Sequence, residues 1–473
     1  MSEITKEPIR EIISDFEKDI RDNRKLGAKP SKEVIPFRND RKDNYERQVY
    51  EVRTDFLRYR KDNGRISSDI ISYERDHGPL KEQSSKSQEI IRSFLKEKDK
   101  DKTNELVNSI LHDSQRDAAV ITSDGFLVNG NRRKMALEIL YEKSKDPKYQ
   151  WMKVVILPGK DDHDQGGPPT IKEIEQIENR YQLQSEGKAE YSKFDRALSI
   201  RRKLQAGMTL EEQLRDDPSY THLTQKEFKK KQIEYEEEYL KPLECIDKYL
   251  KWLNRDGLYN SISSKSGDKE GRWQAFLDYY LKVWKKLENE NTRLKLDIDE
   301  QDVGNIEEIA FKIIRKREFP NVAKLHQIMR YLLSWYKNED SRKALFRILD
   351  EVDDDLLDKE KVDEYGKELS ERDKDRKWAA QNQESLIRNV KKAKNIYEQD
   401  KEKETSLLIL DAILKKLYHN QLAPENIAIS DAKQAMDISR KIKDRANELE
   451  NIFYKIMKGP EKLKEKYERK LKR

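Results

Sequence analysis

Apolar positions change their spacing along the chain, and the changes predict an α+β region followed by helices. Near the start, apolar residues recur every three or four positions, which predicts one amphipathic helix over residues 4–22. The apolar pattern of residues 49–56 predicts a strand that ends at the Asn63-Gly64 turn. A polar loop should follow, and after it a helix through residues 106–111.

A hairpin, a helix and a further strand are predicted around TSDGFLVNGNRRKMALEIL, residues 122–140. Residues 119–122 and 126–128 are strand-like, and Asp124-Gly125 supplies the positive φ angles of a tight turn. A helix should cover residues 132–141, and WMKVVILPG should form a short buried strand. These elements predict an α+β domain with a small mixed sheet over residues 36–160. Residues 159–170 are rich in glycine and aspartate, and we expect a flexible loop there.

Beyond Thr170 the pattern is helical almost throughout. Thr170 should cap a helix, and a second helix should stop at Gly207 before a new start at Thr209, which outlines a helix-turn-helix. A second, helical core is expected within residues 240–345, and the charged sequence from residue 371 onward suggests a helical hairpin or coiled-coil arm. The predicted segments are therefore 1–35, 36–160, 171–240, 241–350 and 351–473.

Composition narrows the class of protein. Of 473 residues, 40% are charged and 35% are apolar, a balance typical of long solvated helices. Residues 458–473 contribute +5 of the net charge of +6, so an overall basic character gives little support to nucleic-acid binding. The single cysteine, Cys245, excludes an intrachain disulfide, and no apolar run approaches a membrane span. We expect a cytoplasmic protein.

The Arg132-Arg133 pair stands at a predicted helix start. Such a start carries unpaired N–H groups and roughly half a positive charge. Cations there are repelled by the helix dipole, which costs about 0.3–1 kcal/mol of stability if nothing compensates. Gly130 would let the backbone approach closely, Asn131 would be the N-cap, and a bound polyphosphate would compensate the arginines. On spacing alone, pairing with nearby carboxylates explains the arginines equally well. A phosphate site is favoured over carboxylate pairing by the order of the elements: a strand, a glycine, the two arginines, and a helix with the small residue Ala136.

VNGNRRKMALEIL resembles the Gly-x-Arg-Arg-x-x-Ala box of the ParB/sulfiredoxin-like superfamily. Glu178-Asn179 in IENRYQLQ resembles that family's Glu-Asn box, and LRYRKDNGRI resembles its first box, which would end at Arg65. The resemblance covers about residues 45–210. Gln182 departs from the arginine that partition proteins usually have four residues after the glutamate. Sulfiredoxin activity is excluded because it needs a cysteine in the glycine-rich loop, where this chain has residues Asn129 to Asn131.

The resemblance implies a pocket for a nucleoside triphosphate, CTP or ATP. Gly130, Asn131, Arg132 and Arg133 would grip the phosphates with help from Arg65, and Arg180 would stand in for the missing arginine. Glu178 and Asn179 would hold Mg²⁺, for which carboxylate and amide oxygens are suitable ligands. Glu178 is also the candidate catalytic residue, although no general base is evident.

The resemblance further implies a DNA-binding module after the α+β domain. The candidate phosphate contacts there are Arg201, Arg202, Lys203, Lys229, Lys230 and Lys231. A helical module that binds protein is the alternative.

Three hypotheses remain open. The first is a nucleotide-dependent switch that controls binding to DNA or to a partner protein and hydrolyses nucleotide slowly, with a homodimer as one option for its assembly. The second is a ParB-like nuclease or phosphotransfer enzyme of a bacterial defence or DNA-modification system. The third is a nucleotide-free helical scaffold.

Overall fold

The computed structural model describes residues 8–98, 100–183, 192–220, 222–262, 269–352, 369–419 and 422–458. The chain divides into two compact units, one reaching to Lys394 and the other starting at Asn395. None of the helices in the described ranges has the length and apolar character that a membrane crossing requires.

The first unit contains the small mixed sheet that the sequence predicts. Its strands are β1 (Lys32–Glu33), β2 (Arg47–Arg53), β3 (Ala119–Ile121) and β4 (Trp151–Ile156), in the spatial order β1-β2-β4-β3. β2 pairs antiparallel with β1 and β4, whereas β3 runs parallel to β4 with Val120 opposite Val155. Parallel neighbours need a crossover connection, and α5 (Asn131–Ser144) supplies it.

Helices occupy the segment that the sequence analysis assigned to a polar loop. They are α2 (Ser67–His77) and α3 (Ser85–Lys98), followed by the predicted helix α4 (Lys100–Asp113). The loop prediction was wrong for both helices. α3 has apolar residues at helical spacing, of which Ile91 and Leu95 are buried, whereas α2 has no apolar stripe. α2 buries Ser68 and Ser72 beside Ile70, and both hydroxyls donate hydrogen bonds, to Asp195 and to a main-chain carbonyl.

The first helix begins later than predicted. α1 covers Ser14–Asn23, residues 8–13 are not helical, and residues 4–7 lie outside the described residues. Arg10 donates to both carboxylate oxygens of the buried Asp124 at 2.8 and 2.9 Å, and the Ile13 N–H donates to the same carboxylate. These tertiary contacts with a buried charge override the helical spacing of the isoleucines.

The two faces of the sheet are covered by different helices. Successive strand residues point to opposite faces. Ala119 and Ile121 pack with Met135 and other apolar residues of α5, whereas Val120 packs with Ile174 and Ile177 of α6 (Ile171–Leu183). The starts of α5 and α6 are thereby held on either side of the same short strand, β3.

The rest of the first unit is helical, which confirms the predicted layout of an α+β region followed by helices. Gly207, with φ of 84°, follows the first of these helices, and Thr209 caps the next in a capping box with Glu212, as predicted. The helices are α7 (Lys193–Gln205), α8 (Leu210–Arg215), α9 (Gln225–Tyr235), α10 (Lys241–Trp252), α11 (Lys269–Tyr279), α12 (Lys285–Leu287), α13 (Glu290–Lys295), α14 (Glu300–Lys316), α15 (Leu325–Lys337), α16 (Glu339–Glu351) and α17 (Glu371–Gln381).

Aromatic side chains form much of this helical core. Tyr249, Phe276, Tyr279 and Phe311 lie in contact with one another and are buried. Trp378 of α17 is also buried, as are Leu386, Val390 and Ala393 near the start of α18 (Gln383–Leu417).

The second unit contains the C-terminal part of α18 and the helix α19 (Ala432–Lys458). Large apolar side chains such as Leu407, Leu414, Met436 and Ile438 are exposed on these helices. Most of the predicted basic tail, residues 459–473, lies outside the described residues. The coiled-coil arm and the homodimer stay predictions.

Candidate functional site

The start of α5 depends on Gly130. This residue is the N-cap, with φ of 88°, a conformation that costs residues with a Cβ roughly 1–2 kcal/mol. A Cβ built on it would lie 2.6 Å from the Cβ of Ala119 on β3 and 3.2 Å from Met152 on β4. Glycine therefore lets the helix start lie directly against the sheet, which is the close approach that the sequence predicted.

Asn131 does not cap α5, contrary to the prediction. It is the first helical residue, and the N-cap position belongs to Gly130, which has no side chain to cap the helix. The Asn131 Oδ1 atom is buried and has no hydrogen-bond partner among the described residues. The N-cap residue therefore supplies no side-chain acceptor at the positive end of the helix dipole.

A cavity of about 480 Å³ lies in front of this helix start. Its volume is within the range of roughly 300–1,000 Å³ that small-molecule sites occupy. Its walls come from the loop 60–65, the start of α5, one face each of α6 and α7, and residues 213–219. Of the residues that the structure describes, six cationic and four acidic ones line it: Arg60, Arg65, Arg132, Arg133, Arg196 and Lys203, and Asp62, Asp117, Glu178 and Asp217.

Both arginines of the Arg-Arg box line the cavity. Arg133 donates through Nη1 to the main-chain carbonyls of Asp117 and, at 2.9 Å, Ala118. Among the described residues no carboxylate forms an ion pair with Arg133. Burial lowers the pKa of Arg133, and the nearby charge of Asp117 offsets this in part. Pairing with local carboxylates, the alternative explanation for the box, therefore does not account for Arg133.

Glu178 is hydrogen-bonded at both carboxylate oxygens. Its Oε1 accepts from the Gly64 N–H at 3.1 Å and from Gln182 at 2.8 Å. Its Oε2 accepts from Arg60 at 2.9 Å and from Arg202 at 3.0 Å. These contacts tie the 60–65 loop to α6 and α7, so Glu178 acts first as a structural link between them.

A second carboxylate completes a buried ion network around Glu178. Glu175 accepts from Arg60 at 2.9 Å and from Arg202 at 2.8 Å. Burial alone would raise the pKa of Glu178, but the charges of Arg202, Arg60 and Lys203 outweigh it and lower this pKa to about 2. The carboxylate is consequently ionised and a weak base.

The Glu178-Asn179 pair does not fit a magnesium ion in this arrangement. Asn179 Oδ1 accepts from the Lys203 ammonium at 2.9 Å, and both Glu178 oxygens already accept from donors. Two unit charges 4 Å apart interact by about 4 kcal/mol at an effective dielectric constant near 20, so Lys203 would repel a divalent ion here. The described residues also contain no group of three or more His, Cys, Asp or Glu side chains that could hold a metal ion.

One face of α7 completes the cavity with Arg196, Ser199 and Lys203. Ser199 is 1% exposed, and its Oγ has no hydrogen-bond partner among the described residues. Lys203 is also buried, and its Nζ donates to the neutral side-chain oxygens of Asn179 and, at 3.4 Å, Gln182. Burial lowers the pKa of Lys203 to about 8 despite the attraction of nearby glutamates. A buried ammonium and an unpartnered hydroxyl are both groups that bind phosphate oxygens.

The other predicted phosphate ligands divide between two locations. Arg65 lines the cavity. Arg180 instead donates to Asp216 at 2.8 Å and to the carbonyl of Pro36 at 3.3 Å. The structure therefore brings together all the predicted phosphate-binding residues except Arg180.

The six candidate DNA contacts do not share one surface. Arg201 donates to Asp247 and Tyr259, while Arg202 and Lys203 face the buried network and the cavity. The remaining candidates, Lys229, Lys230 and Lys231, lie on α9. Lys229 and Lys230 are exposed there, and Lys231 is partly buried. Only this lysine cluster reaches solvent together.

Arg60, Glu175 and Ser199 belong to the site but were not predicted from the sequence. Arg60 and Glu178 are 118 positions apart, and no local motif marks their pairing. A helical face of α7 that carries Arg196, Ser199 and Lys203 was visible as spacing, yet the same spacing is typical of a solvated helix face.

Comparisons of the chain with protein-family models, with curated proteins and with solved structures found no match.

Proposed function

We propose that the first unit binds a nucleoside triphosphate in the cavity at the start of α5 and acts as a nucleotide-dependent switch. The observation that carries this proposal is the convergence on one cavity of a helix N terminus whose N-cap is a glycine with cationic side chains from two other segments, the loop 60–65 and α7. A helix N terminus favours an anion through its N–H groups and dipole. Guanidinium groups add bidentate hydrogen bonds to phosphate.

The lining also suits the nucleoside part of the ligand. Leu95, Leu106, Leu127, Val128 and Ile200 give the cavity apolar wall, which an inorganic phosphate would leave uncovered. Ligand sites of this kind are apolar over much of their surface, with a few polar groups that fix orientation. We therefore favour a nucleotide over a simple anion, in keeping with the resemblance of the Arg-Arg box to ParB-like proteins.

The switch is proposed because the elements that line the cavity belong to two different parts of the first unit. One wall belongs to the α+β region and the other to α7 and residues 213–219, next to α9 with its exposed lysines. A ligand that touches both walls stabilises the arrangement in which they are close, and so shifts the population of conformers that binds DNA or a partner protein. Hydrolysis is slow in this proposal because the Glu178 carboxylate is a weak base.

Calorimetric titration with ATP, CTP and GTP tests the proposal. One of the three nucleotides should bind with a stoichiometry of one per chain. Arg132→Ala should weaken this binding at least tenfold, because a hydrogen bond to a charged group contributes about 1.5–3 kcal/mol. Arg116→Ala is the matched control, since Arg116 is exposed and pairs with Asp113 at the surface. If no nucleotide gives heat, and a second method such as equilibrium dialysis also detects no binding, the nucleotide-free scaffold is the better hypothesis for this protein.

The switch itself needs a second measurement. DNA binding by the full chain should change on addition of the bound nucleotide, and replacement of Lys229 and Lys230 by alanine should weaken DNA binding without altering nucleotide affinity. Nucleotide binding with no effect on DNA binding would direct the search to a partner protein. DNA cleavage dependent on Glu178 would instead favour the nuclease hypothesis.

A further inference from the structure

Lys203 lies where the resemblance would place a metal ion. Its ammonium is buried and donates to Asn179 Oδ1 at 2.9 Å and to Gln182 Oε1 at 3.4 Å. An amide oxygen of this kind is a ligand that magnesium would require. In this chain a lysine ammonium already occupies it.

The surroundings of Glu178 are saturated with cations. Arg60 and Arg202 each donate to its carboxylate, and Lys203 adds a third positive charge close enough to lower the pKa of this carboxyl. The Gly64 N–H and Gln182 take the remaining hydrogen-bonding positions. Both carboxylate oxygens therefore already accept two hydrogen bonds each, and a magnesium ion would have to displace some of these donors.

The charge of the whole lining points the same way. Among the described lining residues, six cations against four carboxylates give an excess of two positive charges. A metal-free nucleotide presents all of its phosphate charge to this excess, whereas a magnesium complex presents less. The Ser199 hydroxyl, which lines the cavity and has no partner among the described residues, is a further donor for a phosphate oxygen.

We infer that this cavity binds the phosphates of its nucleotide without a divalent cation, with the Lys203 ammonium, held by Asn179 and Gln182, serving as the counter-charge. This inference rests on the proposed nucleotide site and adds that the ligand binds there as free nucleotide and not as its magnesium complex. Lys203 is thereby a specificity-determining residue for metal-free nucleotide, and not a DNA contact.

The test is calorimetric titration of the full chain with ATP, CTP and GTP, each in EDTA and again in excess Mg²⁺. The nucleotide that binds should do so in EDTA, and excess Mg²⁺ should weaken its apparent affinity because Mg²⁺ converts the free nucleotide into its magnesium complex. Binding in excess Mg²⁺ that is as tight as in EDTA, or tighter, overturns the inference while the nucleotide site stands. Silence in both buffers overturns the nucleotide site, and this inference with it.

Lys203→Met checks the residue assigned to the role, because methionine keeps the unbranched apolar stem and removes the charge. Affinity in EDTA should fall at least tenfold, and the thermal midpoint of the variant shows whether it is folded. Lys96→Met is the matched control, since Lys96 is exposed on α3. Unchanged affinity in folded Lys203→Met overturns the inference.

A third test titrates the wild-type chain and the Asn179→Ala variant with Mn²⁺ alone and follows the electron-paramagnetic-resonance signal of free Mn²⁺. We expect the two chains to bind Mn²⁺ equally, with no site that the variant loses. A site of this kind would mean that the Glu178-Asn179 pair does hold a metal, and would overturn the inference.

Discussion

Ser199→Ala separates a ligand-binding hydroxyl from a structural one. The Ser199 Oγ is buried on the cavity face of α7 and has no hydrogen-bond partner among the described residues. A buried polar group without a partner costs about 1–3 kcal/mol of stability. Removing it should therefore leave the stability of the free protein unchanged or raise it, while the ligand loses a donor.

The loss in affinity follows from the same contact. A hydrogen bond to a charged phosphate oxygen contributes about 1.5–3 kcal/mol, and each 1.4 kcal/mol corresponds to about a factor of ten in affinity. The Ser199→Ala variant should accordingly bind nucleotide roughly ten- to a hundredfold more weakly. Titration calorimetry gives the affinity, and thermal or denaturant unfolding gives the stability.

Ser72→Ala is the matched control because it should show the opposite pair of effects. Ser72 is equally buried, but its hydroxyl donates to the Ser68 carbonyl at 2.7 Å and accepts from the Asn260 N–H at 2.9 Å. Its loss should destabilise the protein without changing nucleotide affinity. If Ser199→Ala destabilises as much as Ser72→Ala, or binds nucleotide as the wild type does, the assignment of Ser199 to the ligand is refuted.

Three further predictions concern the framework of the site and the helical core. Gly130→Ala should destabilise the first unit by roughly 1–3 kcal/mol, because φ is 88° and the new Cβ would lie 2.6 Å from the Cβ of Ala119; an unchanged denaturation midpoint would contradict this. Glu178→Gln should cost about 1.5–3 kcal/mol, because Arg60 and Arg202 keep Glu175 as a partner but lose their second charged acceptor. Because folding lowers the pKa of Glu178 from 4.5 to about 2, this stabilisation is present above pH 4.5 and is lost as the pH falls towards 2; a stability difference between variant and wild type that stays constant over that window would argue against the network. Asp375→Asn should cost about 3–5 kcal/mol, because the buried Asp375 carboxylate accepts from two buried arginines. The control is Asp340→Asn, which changes an exposed carboxylate and should leave the denaturation midpoint almost unchanged. Equal midpoints for the two variants would disprove the buried pairing.

Local sequence was enough to locate the helix start at Gly130 and the two arginines behind it. The positive φ of a glycine, the apolar positions of α5 and the capping residues Thr170 and Thr209 act over a few neighbouring residues, so each leaves a readable pattern. The same reasoning located β2, β3, β4 and the helical character of the region beyond Thr170, although β2 ends at Arg53 and not at the predicted Asn63-Gly64 turn.

Other elements were missed because their signal is not local. α2 buries serines that are satisfied by Asp195 and by main-chain groups far along the chain, so no apolar stripe marks the helix. α1 starts at Ser14 because the ion pair of Arg10 with Asp124 holds the preceding residues out of the helix. In both cases a long-range contact outweighs local spacing.

The composition of the site was decided only by tertiary structure. The residue types at 178, 179 and 203 suggested a metal-binding pair and a DNA contact, but folding places the Lys203 ammonium on the Asn179 oxygen and two guanidinium groups on the Glu178 carboxylate. A side chain's charge is read from the sequence, whereas its partners and its burial depend on which distant segments pack beside it. Those two quantities determine whether a carboxylate binds a metal, acts as a base or links helices.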